Sequence, residues 1–269
     1  MSNVSKGYSD DMMERVYYTI HQDFTRWAVD TDAKKFIVCV SGGKDSTVVL
    51  NLTAKIFGAD NVVGLIIPNR EMSDLDLAKN ICTDAGVEYK IINIAEAYNS
   101  IAGQIENKVD GGSLPTNVTN NIPPRLRMTV AYAYAQCFEG GRVINTSNRS
   151  EAYVGWTTMW GDNTGDYAPI AGLTCTQVQA LGVWLEIKNE YISKVPSDGL
   201  CGTTDEEALG FTYKELDTYI TSGLCDNFKT HKLIKKRHKL SKFKRKNIRL
   251  PQPIFMGIYQ DIIDDESYE

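Results

Sequence analysis

The sequence predicts an α/β fold, a doubly wound parallel sheet with flanking helices. Short, uninterrupted apolar runs at Phe36–Val40 and Val62–Ile67 read as strands buried on both faces. Segments of helical period, each about a dozen residues long, alternate with them. A Ser-Gly-Gly turn separates the first run from its helix, as a strand-to-helix crossing in a βαβ unit requires.

Taken in order, Asp10 and Asp11 cap a helix to about Val29, with Met13, Val16, Tyr17, Ile20, Phe24 and Trp27 forming one apolar stripe. After the first strand, Asp45 to Ile56 is helical and ends before Gly58. The second strand ends at Pro68, a Ser73–Asp74 cap opens a helix to about Ala85, and Tyr89–Ile94 is a third strand. Residues 103–122 are polar and rich in Gly and Asn, and predict an excursion without regular structure. A helix is expected to begin at Pro123–Pro124, since proline suits a first turn, and to run to about Phe138. Arg142–Asn145 is a fourth strand, Gly155–Ala171 a long loop, Gln177–Ile187 a helix, Pro196–Thr204 a second glycine-bearing loop and Tyr213–Gly223 another helix. No repeat or linker divides the chain, so residues 1–269 are expected to form one domain.

Composition narrows the function classes. Apolar residues make up 42% and charged residues 23%, which excludes disordered and fibrous chains. No apolar run approaches the ~18 residues of a membrane helix. Met1–Lys6 lacks the apolar core of a secretory signal, and six cysteines lie at wide spacing without a C-x-x-C pair. Reduced thiols and a cytoplasmic location are the expectation. A net charge of −5 gives no overall bias toward nucleic acid, yet eleven Lys and Arg residues crowd positions 229–249, ahead of an acidic tail at Asp261–Glu269. Segment 226–269 is therefore expected to be a basic helix followed by an acidic end.

The most specific feature is Ser41-Gly42-Gly43-Lys44-Asp45-Ser46. Its glycines permit a tight turn and close approach of a ligand, and the N–H groups that open the next helix favour an anion. Ser41 and Ser46 offer hydroxyls to phosphate oxygens. A carboxylate at Asp45 would repel phosphate unless a cation lies between them, which implies Mg²⁺. Neither the Walker A spacing nor G-x-G-x-x-G is present.

S-G-G-x-D-S after an apolar strand resembles the pyrophosphate loop of the ATP pyrophosphatases, and later segments resemble one branch of them, the NAD synthetases. Those segments are Arg125-Leu126-Arg127-Met128, Thr146 to Glu151, Gly155 to Asp162, Asp166 to Pro169, Pro196 to Leu200, Thr204 to Tyr213 and the pair His238-Lys239. The resemblance implies an adenine nucleotide alpha hydrolase-like fold and ammonia-dependent ligation. ATP would adenylate the nicotinate carboxylate of deamido-NAD, and ammonia would then displace AMP. It further implies that Ser41, Gly42, Gly43, Lys44, Asp45, Ser46, Thr146 and Ser197 contact ATP. Asp45 and Glu151 would hold Mg²⁺. Arg125, Asp166, His238 and Lys239 would contact deamido-NAD, with Asp45 and Asp166 catalytic, in a homodimer. Arg127 competes with Arg125, and the basic surroundings leave His238 and Lys239 readable as surface cations.

Two positions depart from the pattern: Met159 and Cys175 stand where lysines are common. Lys44 or the basic segment would have to supply the missing charge. An RNA-modifying ATP pyrophosphatase and a nucleotide-binding paralogue without turnover are the competing readings; the basic segment favours the first and Met159 the second.

Overall fold

The computed structural model describes residues 7–194 and 204–247. Among them, four parallel strands form one sheet: β1 (Lys35–Cys39), β2 (Val62–Ile66), β3 (Glu88–Ile91) and β4 (Gly141–Ile144), in the order β3-β2-β1-β4. The chain builds outward from β1 to β3 and then returns to the other side of β1. That reversal leaves the carboxyl ends of β1 and β4 side by side, the crevice where doubly wound sheets bind ligands.

Helices cover both faces. Phe36, Val38 and Val40 pack with α1 (Asp10–Asp30), α2 (Lys44–Phe57), α3 (Leu75–Asp84) and α7 (Cys175–Trp184). Ile37, Val63, Leu65 and Val143 point the other way, against α5 (Thr116–Ala135), which in turn contacts α4 (Ala95–Glu106). The alternation along β1 is the two-residue strand period, with both faces apolar because both are covered. All five residues of β2 are buried, including Gly64. A separate apolar cluster gathers α6 (Arg149–Val154), α9 (Asp205–Leu209), α10 (Tyr213–Ser222) and α11 (Phe228–Leu240) around Tyr153, Phe211, Leu216 and Ile234; α8 (Asn189–Ile192) packs on α2.

Two expectations are corrected. The excursion expected over 103–122 is confined to 107–115, because α4 reaches Glu106, and the helix expected from Pro123 begins at Thr116 with Pro123 and Pro124 inside it. An internal proline removes a ladder bond and crowds the preceding turn, at a cost of ~3 kcal/mol. Here both prolines are buried, and Pro124 lies against Gly161, where an added Cβ would sit 2.8 Å from the Pro124 Cβ. Side chains meet upstream carbonyls: Thr119 Oγ1 donates to Thr116 O and Asn121 Nδ2 to Asn117 O. Tertiary burial has overridden the local signal. Helix α6 has only six residues, too few for a periodic pattern to announce it.

Beyond β4, Asp166 N donates to Val143 O and Asn145 N to Tyr167 O, at 2.7 and 2.8 Å, so residues 166–167 extend the sheet by one rung. Tyr167 is fixed from α1: its ring stacks on Phe24 at 4.2 Å and its hydroxyl donates to Asp23 at 2.8 Å.

Gly64 offers a test of this packing. A Cβ there would meet the buried Cys82 Sγ at 2.5 Å. Gly64→Ala is expected to cost about 1–3 kcal/mol, read from the urea midpoint. Most of that loss should return in the Cys82→Ala background. Equal losses in both backgrounds would show that strand–helix crowding is not the cause.

Candidate active site

The Ser41–Ser46 turn spans the end of β1 and the start of α2. Gly42 has φ +82°, and an added Cβ would lie 3.0 Å from the Asp74 Cβ, so the turn requires glycine on both conformational and steric grounds. Gly43 is the N-cap of α2 and provides no side-chain partner for the first-turn N–H groups. Ser41 and Ser46 hydroxyls lie 3.2 Å apart, and Ser46 Oγ donates to Gly43 O at 3.0 Å. The predicted loop residues are therefore together.

Lys44 and Asp45 make an unexpected pair. Lys44 Nζ donates to both Asp45 carboxylate oxygens, at 2.7 and 2.8 Å, and the lysine side chain is only 5% exposed. Burial opposes its charge, but Asp45, the Cys175 sulfur and Glu151 together outweigh burial and hold the ammonium above the ordinary lysine range.

The second carboxylate arrives from the turn after β4. Asn148 caps α6: its Oδ1 accepts Glu151 N at 3.0 Å while Glu151 Oε2 accepts Asn148 N at 3.2 Å. Asn148 Nδ2 also donates to Asp45 Oδ1 at 3.2 Å. One buried residue, Asn148, thus links the two acids that the sequence singled out, through its side-chain amide to Asp45 and its backbone N–H to the Glu151 carboxylate. Enclosure by protein, then the nearby Asp45, raise Glu151 well above the usual carboxylate range; Lys44 and the Asn148 N–H oppose this. Thr146 is half-buried in the same turn. Cys175, at the first position of α7, is buried, and burial pushes its thiol well up, which fits packing and not nucleophilic chemistry.

The long loop is tied to this centre by backbone acceptors. Asn145 Nδ2 donates to Asp162 O and Thr164 O, and Ser147 Oγ donates to Asp162 O at 2.9 Å. Asp162 reaches solvent but is closely enclosed, and that enclosure raises its carboxyl to about 6, against the Thr158 N–H it accepts. Arg125 is exposed on α5 and its Nε donates to Met159 O at 3.1 Å. Arg127 turns inward, donating to Ile67 O. Lys244, from the turn after α11, donates to Gly155 O at 3.0 Å and Thr157 O at 2.6 Å, bringing a cation to the loop that carries Met159.

Other predicted residues stand apart from the Asp45–Glu151 group. Asp166 lies on the β4 edge away from β1, where its Oδ2 accepts Val143 N at 2.7 Å and its carboxylate bonds the Tyr132 hydroxyl. His238 stacks on Tyr153 at 4.0 Å, and its Nδ1 lies 2.8 Å from Tyr153 O. A carbonyl can only accept, so Nδ1 carries the proton and Nε2 faces Arg245 at 3.4 Å. Burial lowers the His238 pKa. Lys239 is exposed, and Ser197 lies outside the described residues. Sequence reading missed the roles of Asn148, Ser147, Asp162 and Lys244. The N-x-x-E spacing of Asn148 and Glu151 was a capping-box signal that could have found the first.

Asn148→Ala removes an N-cap and the link to Asp45. It is expected to lower stability by about 1 kcal/mol, measured by thermal unfolding, and to raise the divalent-metal concentration needed for half-maximal turnover. Unchanged metal dependence would show that the amide serves only the helix.

Among the described residues, no helix is long and apolar enough to cross a membrane. A profile of the NAD synthase family matches residues 17–250. The NH(3)-dependent NAD(+) synthetase of Thermococcus kodakarensis is 40% identical over 183 residues, 68% of this chain and 70% of that protein. That of Finegoldia magna is 36% identical over 237 residues, 86% of this chain and 94% of that protein. Among solved structures, the NMN synthetase of Francisella tularensis has a TM-score of 0.80 at 30% identity, covering 89% of this chain and 98% of that one. The NH3-dependent NAD synthetase of Campylobacter jejuni, 24% identical, shares the fold with a TM-score of 0.69, over 89% and 99% of the two chains. These relatives do not favour the RNA-modifying reading. With the glycine turn, the paired carboxylates and this breadth of similarity together, the chain belongs to the NAD synthase family.

Proposed function

We propose that this protein is an ammonia-dependent NAD synthetase: it amidates deamido-NAD with ATP and releases AMP and pyrophosphate. The observation that carries this reading is the Asp45–Asn148–Glu151 arrangement beside the Ser41–Ser46 turn, at the sheet's point of reversal. An unactivated nicotinate carboxylate is a poor acyl donor because oxide would have to leave. One carboxylate oxygen therefore attacks the α-phosphorus of ATP, the bond to the pyrophosphate oxygen breaks, and the acyl adenylate forms. Ammonia then adds to the carbonyl, AMP departs with the bonding electrons, and one proton is lost.

The first N–H groups of α2 and the Ser41 and Ser46 hydroxyls receive the departing pyrophosphate. Asp45 and Glu151 suit Mg²⁺, which takes one or two protein carboxylates and completes its shell with phosphate oxygens and water. Among the described residues no larger acidic or His/Cys group competes for that role. When bound, the ion neutralises charge that develops on the leaving group. Thr146 and Ser197 are assigned to ATP. Arg125 and the exposed Lys239 are assigned to deamido-NAD phosphates or carboxylate. Asp166, held by Val143, presents a fixed carboxylate for the proton that ammonia gives up. His238, stacked on Tyr153 and facing Arg245, is assigned with Lys239 to deamido-NAD. The protein is taken to act as a homodimer in the cytoplasm.

Incubation with deamido-NAD, ammonium and ATP should yield NAD, AMP and pyrophosphate in equal amounts. ADP and phosphate would overturn the reading. Asp45→Asn and Glu151→Gln should each lower kcat at least ~100-fold, about 2.7 kcal/mol of barrier, with little change in thermal stability.

A second reading concerns the substrate's size. The Francisella tularensis structure, at TM-score 0.80, is of an NMN synthetase, which suggests nicotinate mononucleotide as the acyl substrate with the same chemistry. The ratio of kcat/KM for the two compounds decides. The first reading expects deamido-NAD to be favoured at least tenfold, and a reversed ratio would replace it with the second.

A further inference from the structure

We infer that Lys44 is an internal cation that occupies the metal position of this site until the nucleotide arrives, so that the protein takes up divalent metal only together with ATP. The inference rests on the reading of Asp45 and Glu151 as metal ligands.

Three observations support it. Lys44 Nζ lies within 2.7 and 2.8 Å of the two oxygens of Asp45, the position that a cation shared by both oxygens would take. Adjacent residues on a helix project in different directions and do not ordinarily face each other. Lys44 and Asp45 are the first two residues of α2, so the lysine must fold back over the helix start to make this pair. Helix geometry alone does not supply the contact. Thirdly, the side chain is 5% exposed, so its ammonium has no bulk water to retreat into and stays with the acids around it.

With Lys44 in place, one positive charge answers the two carboxylates, and Asn148 Nδ2 takes part of the remaining capacity of Asp45 Oδ1. A bare divalent ion would meet an ammonium already seated on its ligand. The triphosphate changes this balance because it carries several negative charges to the α2 N-terminus. Lys44 can then exchange Asp45 for a phosphate oxygen and uncover the carboxylate. No bond is made or broken in the covalent sense; one ion pair replaces another.

The test is Mn²⁺ binding followed by electron paramagnetic resonance, with and without an ATP analogue whose α–β bridge is methylene. Wild type should bind Mn²⁺ only with the analogue. K44M should bind Mn²⁺ without nucleotide at least tenfold more tightly than wild type, D45N in that background should abolish the gain, and K44R should behave as wild type. Equal nucleotide-free affinity in wild type and K44M overturns the inference while leaving the proposed function intact. Failure of both proteins to bind Mn²⁺ even with the analogue overturns the metal assignment as well. Thermal unfolding checks each variant, and K44Q replaces K44M should the latter not fold.

Discussion

Two carboxylates placed in one enclosed space are the constraint on which the rest of this structure depends. Asp45 comes from the turn after β1 and Glu151 from the turn after β4, and only the reversal of strand order brings those turns together. Glu151 resists ionisation because protein encloses it and, after that, because the like charge of Asp45 is near. The protein offsets the repulsion with a buried lysine and a buried amide instead of with distance. Such an arrangement stabilises nothing by itself; in the proposed function its use is to hold a cation, and the cation in turn meets phosphate.

The supporting elements follow from that requirement. Helix α6 is too short to persist alone, so its capping box and its packing against α10 and α11 keep Glu151 in place. Ser150, one residue before Glu151, donates to Asp217 of α10, and the other Asp217 oxygen accepts Thr176 N of α7 at 2.7 Å. The same Ser150 oxygen accepts Cys175 N at 2.9 Å. A buried, fully bonded aspartate therefore binds three helices together directly behind the acidic pair. On the opposite side, Phe24, Trp27 and Tyr167 form an aromatic group that fixes the strand-like rung at Asp166.

Much of this was legible in the sequence because it is local. Strand β1, the glycine turn and α2 follow from a continuous apolar run, a Gly pair and helical period within about twenty residues. The role proposed for them is read from the same short stretch. The two acids were legible as types, but the amide between them was not, since Asn148 lies 103 residues from Asp45 and only the fold makes them neighbours. Pro123 and Pro124 misled the reading in the opposite direction. Their local preference is to open a helix, and their burial, with Pro124 against Gly161, outweighs it. His238 marks a third limit. In sequence it stands in a basic run and resembles a ligand, yet its ring is committed to Tyr153 and Arg245. A motif specifies residue type and order, and leaves open which hydrogen bonds the side chain already makes.

Met159 brings these limits to bear on the long loop at 155–171. An apolar side chain where the pattern that the sequence resembles has lysine suggests a lost cation, if each position is compared only with its counterpart. The loop is not without positive charge, however. Lys244 reaches it from 89 and 87 residues away, at Gly155 and Thr157, and Arg125 holds the Met159 carbonyl from α5. Asp162 feels both Lys244 and Arg127. The cations bind backbone carbonyls, so their first effect is on the shape of the loop, and their charge is added to the field around Asp162. Charge at such a loop is set by all the cations that reach it and not by one position alone. A residue lost at one position can therefore be answered by another from a distant segment, and the basic run after α10 finds in this loop a use that its own sequence does not announce.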